Sequence, residues 1–356
     1  PAGKPVGDRR FMRRFLSLFV VLGTLASLAG CGGGGSGADA NILRMGNGAE
    51  PEGLDPHIVT GIPEHHILLT LFEGLVNLDP KTLDPIPGVA ESWDVSADGL
   101  VYTFHLRENA KWSNGDPVTA HDFTYAWQRI LEPEMASQYG DMLWCMKNAR
   151  AYNEGTVTDF AEVGCKAIDD RTVEVTLEAP TPYFMTLHQH YTWYPLHRPT
   201  IEKFDAYYDR ASKWPRPGNI VSNGAFTLEE WMPKRTLKVA KSPTYWDAAK
   251  VQLDGVWFYP IDSRETEERM FRAGELHMTE NCPSNKVPVY QKENPELIHI
   301  APWLGSYYYR LNTTRPPLND VRVRQALAYA IDRKTLVEKI TQVGQLPGNY
   351  FTPPGM

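Results

Sequence analysis

Lys111-Trp112-Ser113-Asn114-Gly115-Asp116-Pro117-Val118-Thr119-Ala120-His121-Asp122-Phe123 carries the chain into a helix, and the fold can be read outward from it. Thr119 followed three residues later by Asp122 has the spacing of a capping box, in which a side chain at each position serves the other's backbone amide. Phe123, Ala126, Trp127, Ile130 and Leu131 then recur at helical spacing and form one apolar stripe that must dock on something. Pro133 stops the helix. Upstream, Leu100 to Leu106 alternates, which puts Tyr102, Phe104 and Leu106 on one side of a half-buried strand. Downstream, Thr172 to Leu177 does the same with Val173, Val175 and Leu177. Strand and helix signals mix without strict alternation or internal repeat, which predicts an α/β protein of more than one lobe.

Further elements are read by the same rules. Ile42 to Met45 reads as a short strand ending at Gly46 and Gly48. Glu64 to Phe72 reads as a helix with Ile67, Leu68, Leu71 and Phe72 on one face. Leu237 and Val239, then Val256 to Tyr259, suggest strands before a helix from Ser263 to Ala273. Asn319 can cap a helix carrying Val323, Ala326, Leu327, Ala330 and Ile331, and Asp332 opens another. A strand through Tyr307-Tyr308-Tyr309 would turn Tyr307 and Tyr309 to one face, where they could line a cleft, and Tyr308 to the other.

Composition bounds the function. The 356 residues are 42% hydrophobic and 22% charged, as in a globular protein, with a net charge of -7 that offers no field to attract nucleic acid. The segment from Met12 reads MRRFLSLFVVLGTLASLAGC. Arg13 and Arg14 precede an apolar run too short to span a bilayer comfortably, and Leu28-Ala29-Gly30-Cys31 resembles a bacterial lipobox. That predicts export, diacylglyceryl transfer to the Cys31 thiol, and a membrane-anchored lipoprotein in the periplasm or at the cell surface. Leader, signal and glycine-rich tether would occupy residues 1–37. Residues 1–30 contain five basic residues and one acid, so residues 31–356 carry a net charge of -11.

In an oxidising compartment Cys145 and Cys165 could close a short loop as a disulfide, or remain buried thiols beside Cys282. No H-E-x-x-H, G-x-S-x-G, Walker or EF-hand string is present, and no acid pair stands out, so neither catalytic residues nor a cofactor is expected. A zinc hydrolase using His188, His190 and His197 would need a further acid that the spacing does not supply. His65 and His66 point a quarter-turn apart and suit a metal less well.

Several strings carry a family resemblance. They are Leu54-Asp55-Pro56-His57, Leu71-Phe72-Glu73-Gly74-Leu75, Pro87-Gly88-Val89-Ala90-Glu91-Ser92-Trp93, Tyr102-Thr103-Phe104-His105-Leu106-Arg107, Asn223-Gly224-Ala225-Phe226 and Asn319-Asp320-Val321-Arg322-Val323-Arg324-Gln325-Ala326-Leu327, with the opening string above. From about Ile42 to Pro354 the chain resembles the bacterial extracellular solute-binding proteins of family 5, which serve peptide ABC importers. The resemblance implies a two-lobed, class II-like periplasmic-binding-protein fold of three domains, closing on a peptide and working as a monomer with permease and ATPase subunits. Domain I would combine 41–77 with 200–303, domain II would be 78–199, and domain III would begin at 304 and continue beyond Met356. The same resemblance places ligand contacts at Thr60, Gly61, Ile62, Tyr139, Glu280, Asn281, Cys282, Gly305 and Tyr308. Glu280 stands where the family has an aromatic residue, Cys282 where it has an amide, and Gly305 where it has a cysteine. The acid pairing with a peptide amino group would lie past Met356. Other ligands known in the family are murein peptides, dipeptides, nickel chelates and oligosaccharides, and a sensor that signals without transport is a further reading.

Overall fold

The computed structural model describes residues 41–204, 207–301 and 305–353. The expected leader, lipidation site at Cys31 and tether lie outside the described residues. Four helices carry the longer apolar or capped patterns: α1 (Ile62–Leu71), α2 (Ala120–Leu131), α3 (Arg264–Arg272) and α4 (Val321–Ala330). The strands are β1 (Ile42–Gly46), β2 (Val76–Leu78), β3 (Pro85–Pro87), β4 (Ala90–Val95), β5 (Val101–Leu106), β6 (Cys165–Asp169), β7 (Thr172–Thr176), β8 (Phe226–Met232), β9 (Thr236–Lys241) and β10 (Gly255–Tyr259). One sheet runs β1-β10-β9-β8, a second runs β4-β5-β7-β6, and β2 pairs with β3 alone.

Local chemistry explains the second sheet and its helix. Thr119 is extended, and both its amide and its hydroxyl donate to Asp122 Oδ2, at 2.7 and 3.0 Å. Trp112 Nε1 donates to the same oxygen at 3.3 Å. The α2 stripe of Phe123, Ala126, Trp127, Ile130 and Leu131 is fully buried, against β6 and β7. Phe104 on β5 lies opposite Val173 on β7, and Tyr102 opposite Val175, so the alternation seen in both strands builds one apolar face. In the first sheet Val239 faces Val256 and Leu237 faces Phe258 across β9 and β10. A single apolar core runs through both sheets.

Three expectations need correction. The last long helix is capped by Asp320, whose carboxylate accepts from the Arg322 amide at 2.9 Å, and not by Asn319. Tyr307-Tyr308-Tyr309 forms no strand: Tyr307 is 93% and Tyr309 72% exposed, because residues 305–353 bury none of their described side chains and offer no sheet to join. Cys145 and Cys165 are free thiols and form no disulfide. Cys165 faces inward on β6 opposite Val175, while Cys145 packs beside the Met146–Leu177 bridge, and burial pushes both thiols up to about 12.

A buried ion pair ties the core together. Arg129 on α2 grips Asp55 with both terminal nitrogens, Nη1 to Oδ1 at 2.9 Å and Nη2 to Oδ2 at 2.6 Å. The His57 amide and Trp214 Nε1 complete the carboxylate at 3.0 and 3.2 Å. Arg129 Nη1 also reaches His57 Nδ1 at 3.0 Å, and its Nε donates to the Tyr207 carbonyl. Burial acts to raise the Asp55 carboxyl, but the Arg129 charge and hydrogen bonds outweigh it and hold it below its ordinary value. Removing either partner strands the other charge in the core. Asp55→Ala and Arg129→Met are each expected to cost about 3–5 kcal/mol, and the double variant less than their sum, measured by urea unfolding.

Candidate functional site

The segment after this ion pair is the one the sequence marks for a ligand. Val59 to Gly61 is a short stretch outside helix and strand that feeds α1, with Gly61 as an extended N-cap at φ -89° and ψ 158° and Pro63 fixing the first turn. Two phenols from elsewhere fix its carbonyls. Tyr191 Oη donates to the Val59 carbonyl at 3.0 Å, and Tyr139 Oη to the Thr60 carbonyl at 3.3 Å. The Gly61 carbonyl takes the His65 amide at 3.2 Å. The amides of Thr60 and Gly61 have no acceptor among the described residues. Ile62 leaves 45% of its side chain exposed.

Gly61 is closely approached by a side chain of α1. Glu64, only 3% exposed, curls back so that a Cβ on Gly61 would lie 2.0 Å from its Oε2. Its Oε1 accepts from the Glu52 amide at 2.5 Å, while Oε2 has no hydrogen-bond partner.

An aromatic group covers one flank of α1. His190 stands edge-on to Tyr139 at 5.2 Å and lies 4.2 Å from the Tyr191 ring, and His65 stacks on His190 at 6.2 Å. Burial lowers both imidazoles and each charge disfavours a neighbour's, bringing His190 to about 4. On another flank His66 Nδ1 is 3.5 Å from Glu280 Oε2 and 3.3 Å from Asn47 Oδ1. The Glu280 amide donates to Glu267 Oε1 of α3 at 3.1 Å. Burial raises the Glu267 carboxyl, against the pull of the Glu280 and Asn281 amides. Asn281 is exposed, and burial raises the neighbouring Cys282 thiol.

The structure therefore brings Tyr139 to the segment Thr60–Ile62 and sets Glu280, followed by Asn281 and Cys282, beside His66 of α1. Gly305 and Tyr308 make no described contact with that group; Tyr308 packs on Phe351 at 5.0 Å. Glu64, His65, His66, Tyr191 and Glu267 were not expected there. Only Gly61-Ile62-Pro63, a turn running into a helix start, could have pointed to Glu64.

The three histidines of the zinc reading do not meet. His188 sits among Phe104, Phe184 and Trp193 with neither ring nitrogen paired. His190 belongs to the tyrosine cluster. His197 bonds Thr200 Oγ1 at 2.7 Å and Asp116 Oδ2 at 3.1 Å. Among the described residues no group of three or more His, Cys, Asp or Glu side chains is placed to hold a metal, and no helix is long and apolar enough to cross a membrane.

Comparison with known proteins gives a consistent picture. Residues 84–356 match the family described as bacterial extracellular solute-binding proteins, family 5 Middle. The periplasmic oligopeptide-binding protein OppA of Escherichia coli is 43% identical over 340 residues, which cover 94% of this chain and 61% of that protein. The solved E. coli murein tripeptide-binding protein MppA superposes with a TM-score of 0.83 at 36% identity, covering 88% of this chain and 60% of the other. Haemophilus influenzae OppA in complex with RPPGFSPFR superposes with a TM-score of 0.81 at 35% identity, with the same coverage. The chain thus spans about three fifths of the length of these relatives.

His188 yields a pH prediction. Burial lowers its imidazole to about 3, from 6.5, so the unfolded chain binds a proton that the folded one refuses. The stability this contributes is complete above pH 6.5 and is lost as pH falls towards 3. His188→Leu also removes two unpaired buried nitrogens. It is expected to leave stability equal or raised by about 1 kcal/mol at neutral pH, and to make the loss between pH 6.5 and 4 shallower, in urea titrations across that range.

Proposed function

The chain belongs to the bacterial extracellular solute-binding proteins of family 5, and from that premise we propose that the whole protein is the oligopeptide receptor of an ABC importer. One observation carries the reading: the segment ending at Gly61 is held by its carbonyls, while among the described residues the Thr60 and Gly61 amides have no acceptor. An extended peptide laid along Thr60 to Ile62 would receive hydrogen bonds from those amides, which gives affinity independent of its side chains. Tyr139 and the Glu280–Cys282 turn would flank it, with Gly305 and Tyr308 brought in by closure.

The sheet membership supports domain I at 41–77 with 200–303, since β1 and β8–β10 share one sheet, and domain II at 78–199, since β4–β7 share the other. Both contribute to one apolar core, so closure would move the part that begins at 304 against them. Permease and ATPase subunits would supply passage and energy, and this protein would perform no catalysis. Export as a lipoprotein anchored through Cys31 rests on the lipobox-like Leu28-Ala29-Gly30-Cys31, and a monomeric state on the family resemblance.

Native mass spectrometry of the full-length gene product, expressed without Cys31 and purified without refolding, is the test. Co-purifying peptides of mixed mass, released on denaturation, are expected. A single non-peptide mass would overturn the assignment of peptide as ligand.

A further inference from the structure

We propose that Glu64 is a positioning residue that decides whether the Gly61 amide is free to take a peptide carbonyl. The inference rests on the peptide-receptor reading and gives that site an internal competitor. Glu64 is the third residue of α1, and Gly61 is its N-cap. In a capping box an acid at that third position reaches back and accepts from the N-cap amide. α2 of this protein makes the bond: Thr119, extended at φ -121° and ψ 164°, donates its amide to Asp122 Oδ2 at 2.7 Å. Gly61 is extended in the same way, at φ -89° and ψ 158°, yet its amide has no acceptor among the described residues.

The box of α1 is open on both sides. Glu64 is 3% exposed, its Oε2 is buried beside the Gly61 backbone, and among the described residues no donor reaches that oxygen. The other oxygen, Oε1, is taken by the Glu52 amide at 2.5 Å, so a loop residue outside the helix holds the carboxylate. The first turn itself is intact. The His65 amide donates to the Gly61 carbonyl at 3.2 Å, and Asn47 Nδ2 donates to the Pro63 carbonyl at 3.1 Å, so fraying does not account for the free amide. A buried acid without a donor and an amide without an acceptor, both at Gly61, are two halves of one hydrogen bond left unmade. Glu64 therefore has two places to go. Held on the Glu52 amide, it leaves the Gly61 amide to a peptide carbonyl. Turned back onto Gly61, it takes the donor that the peptide needs. One N–H cannot serve both acceptors at full strength, so whatever populates the closed box weakens the ligand.

The test uses the full-length gene product, with alanine-based tri- to pentapeptides titrated by calorimetry and hydrogen exchange at the Gly61 amide followed by NMR in the ligand-free protein. Glu64→Asp is one methylene too short to keep the Glu52 amide and has the reach with which Asp122 closes its own box. It is expected to slow exchange at Gly61 about ten-fold and to weaken the peptides about ten-fold. Glu64→Ala removes the competitor and is expected to bind the peptides as tightly as the unmodified protein or up to about three-fold tighter, although it strands the Glu52 amide and lowers stability. A residue that served structure alone would give the reverse order, because aspartate is the milder change. Tighter binding by Glu64→Asp than by Glu64→Ala, or unchanged exchange at Gly61 in Glu64→Asp, would overturn the inference while leaving the receptor reading intact. Failure of every peptide to bind the unmodified protein would overturn the receptor reading and the inference with it.

Discussion

The ion pair of Asp55 and Arg129 fixes where everything else can sit. Two full charges leave water together, which is tolerable only if every lone pair and proton finds a partner. That condition forces four separated parts of the chain into one arrangement: the Asp55–His57 turn, the middle of α2, and the Tyr207 carbonyl and Trp214 ring. The stretch from Val59 leaves directly from this knot. Its direction is therefore set by the least forgiving geometry in the core.

A second polar junction does the same between the two sheets. Glu73 exchanges its amide and carbonyl with the Asn223 side chain at 3.1 and 2.9 Å. Its carboxylate collects Asn77 Nδ2, Tyr245 Oη and Trp246 Nε1, while Arg107 stacks over Trp246 at 3.8 Å. Burial raises the Glu73 carboxyl despite those donors, which marks how thoroughly it is enclosed. Gly224 passes so close to α1 that a Cβ would meet the Leu71 backbone at 2.6 Å. The strings Leu71–Leu75 and Asn223–Phe226 are thus two halves of one contact, and hydrophobic burial alone would not hold them in register.

This division explains what was legible in the sequence. The α2 cap, the alternation of β5 and β7, and the helix beginning at Ser263 depend on residues within a few positions of each other, so spacing is enough to find them. The structure adds that Ser263 Oγ caps α3, accepting from the Thr266 amide at 3.2 Å. The Asp55–Arg129 pair spans 74 residues and the Tyr139–Thr60 bond 79, and no periodicity records such distances. Family strings placed Tyr139, Thr60 and Glu280 in a ligand site, but could not show that His66 and Glu267 hold Glu280 in place. Spacing misled where it lacked a surface to refer to. A strand through 307–309 would divide its tyrosines between two faces, yet a strand needs a neighbour to pair with. Cys145 and Cys165 are close along the chain, yet each settles among apolar neighbours of its own.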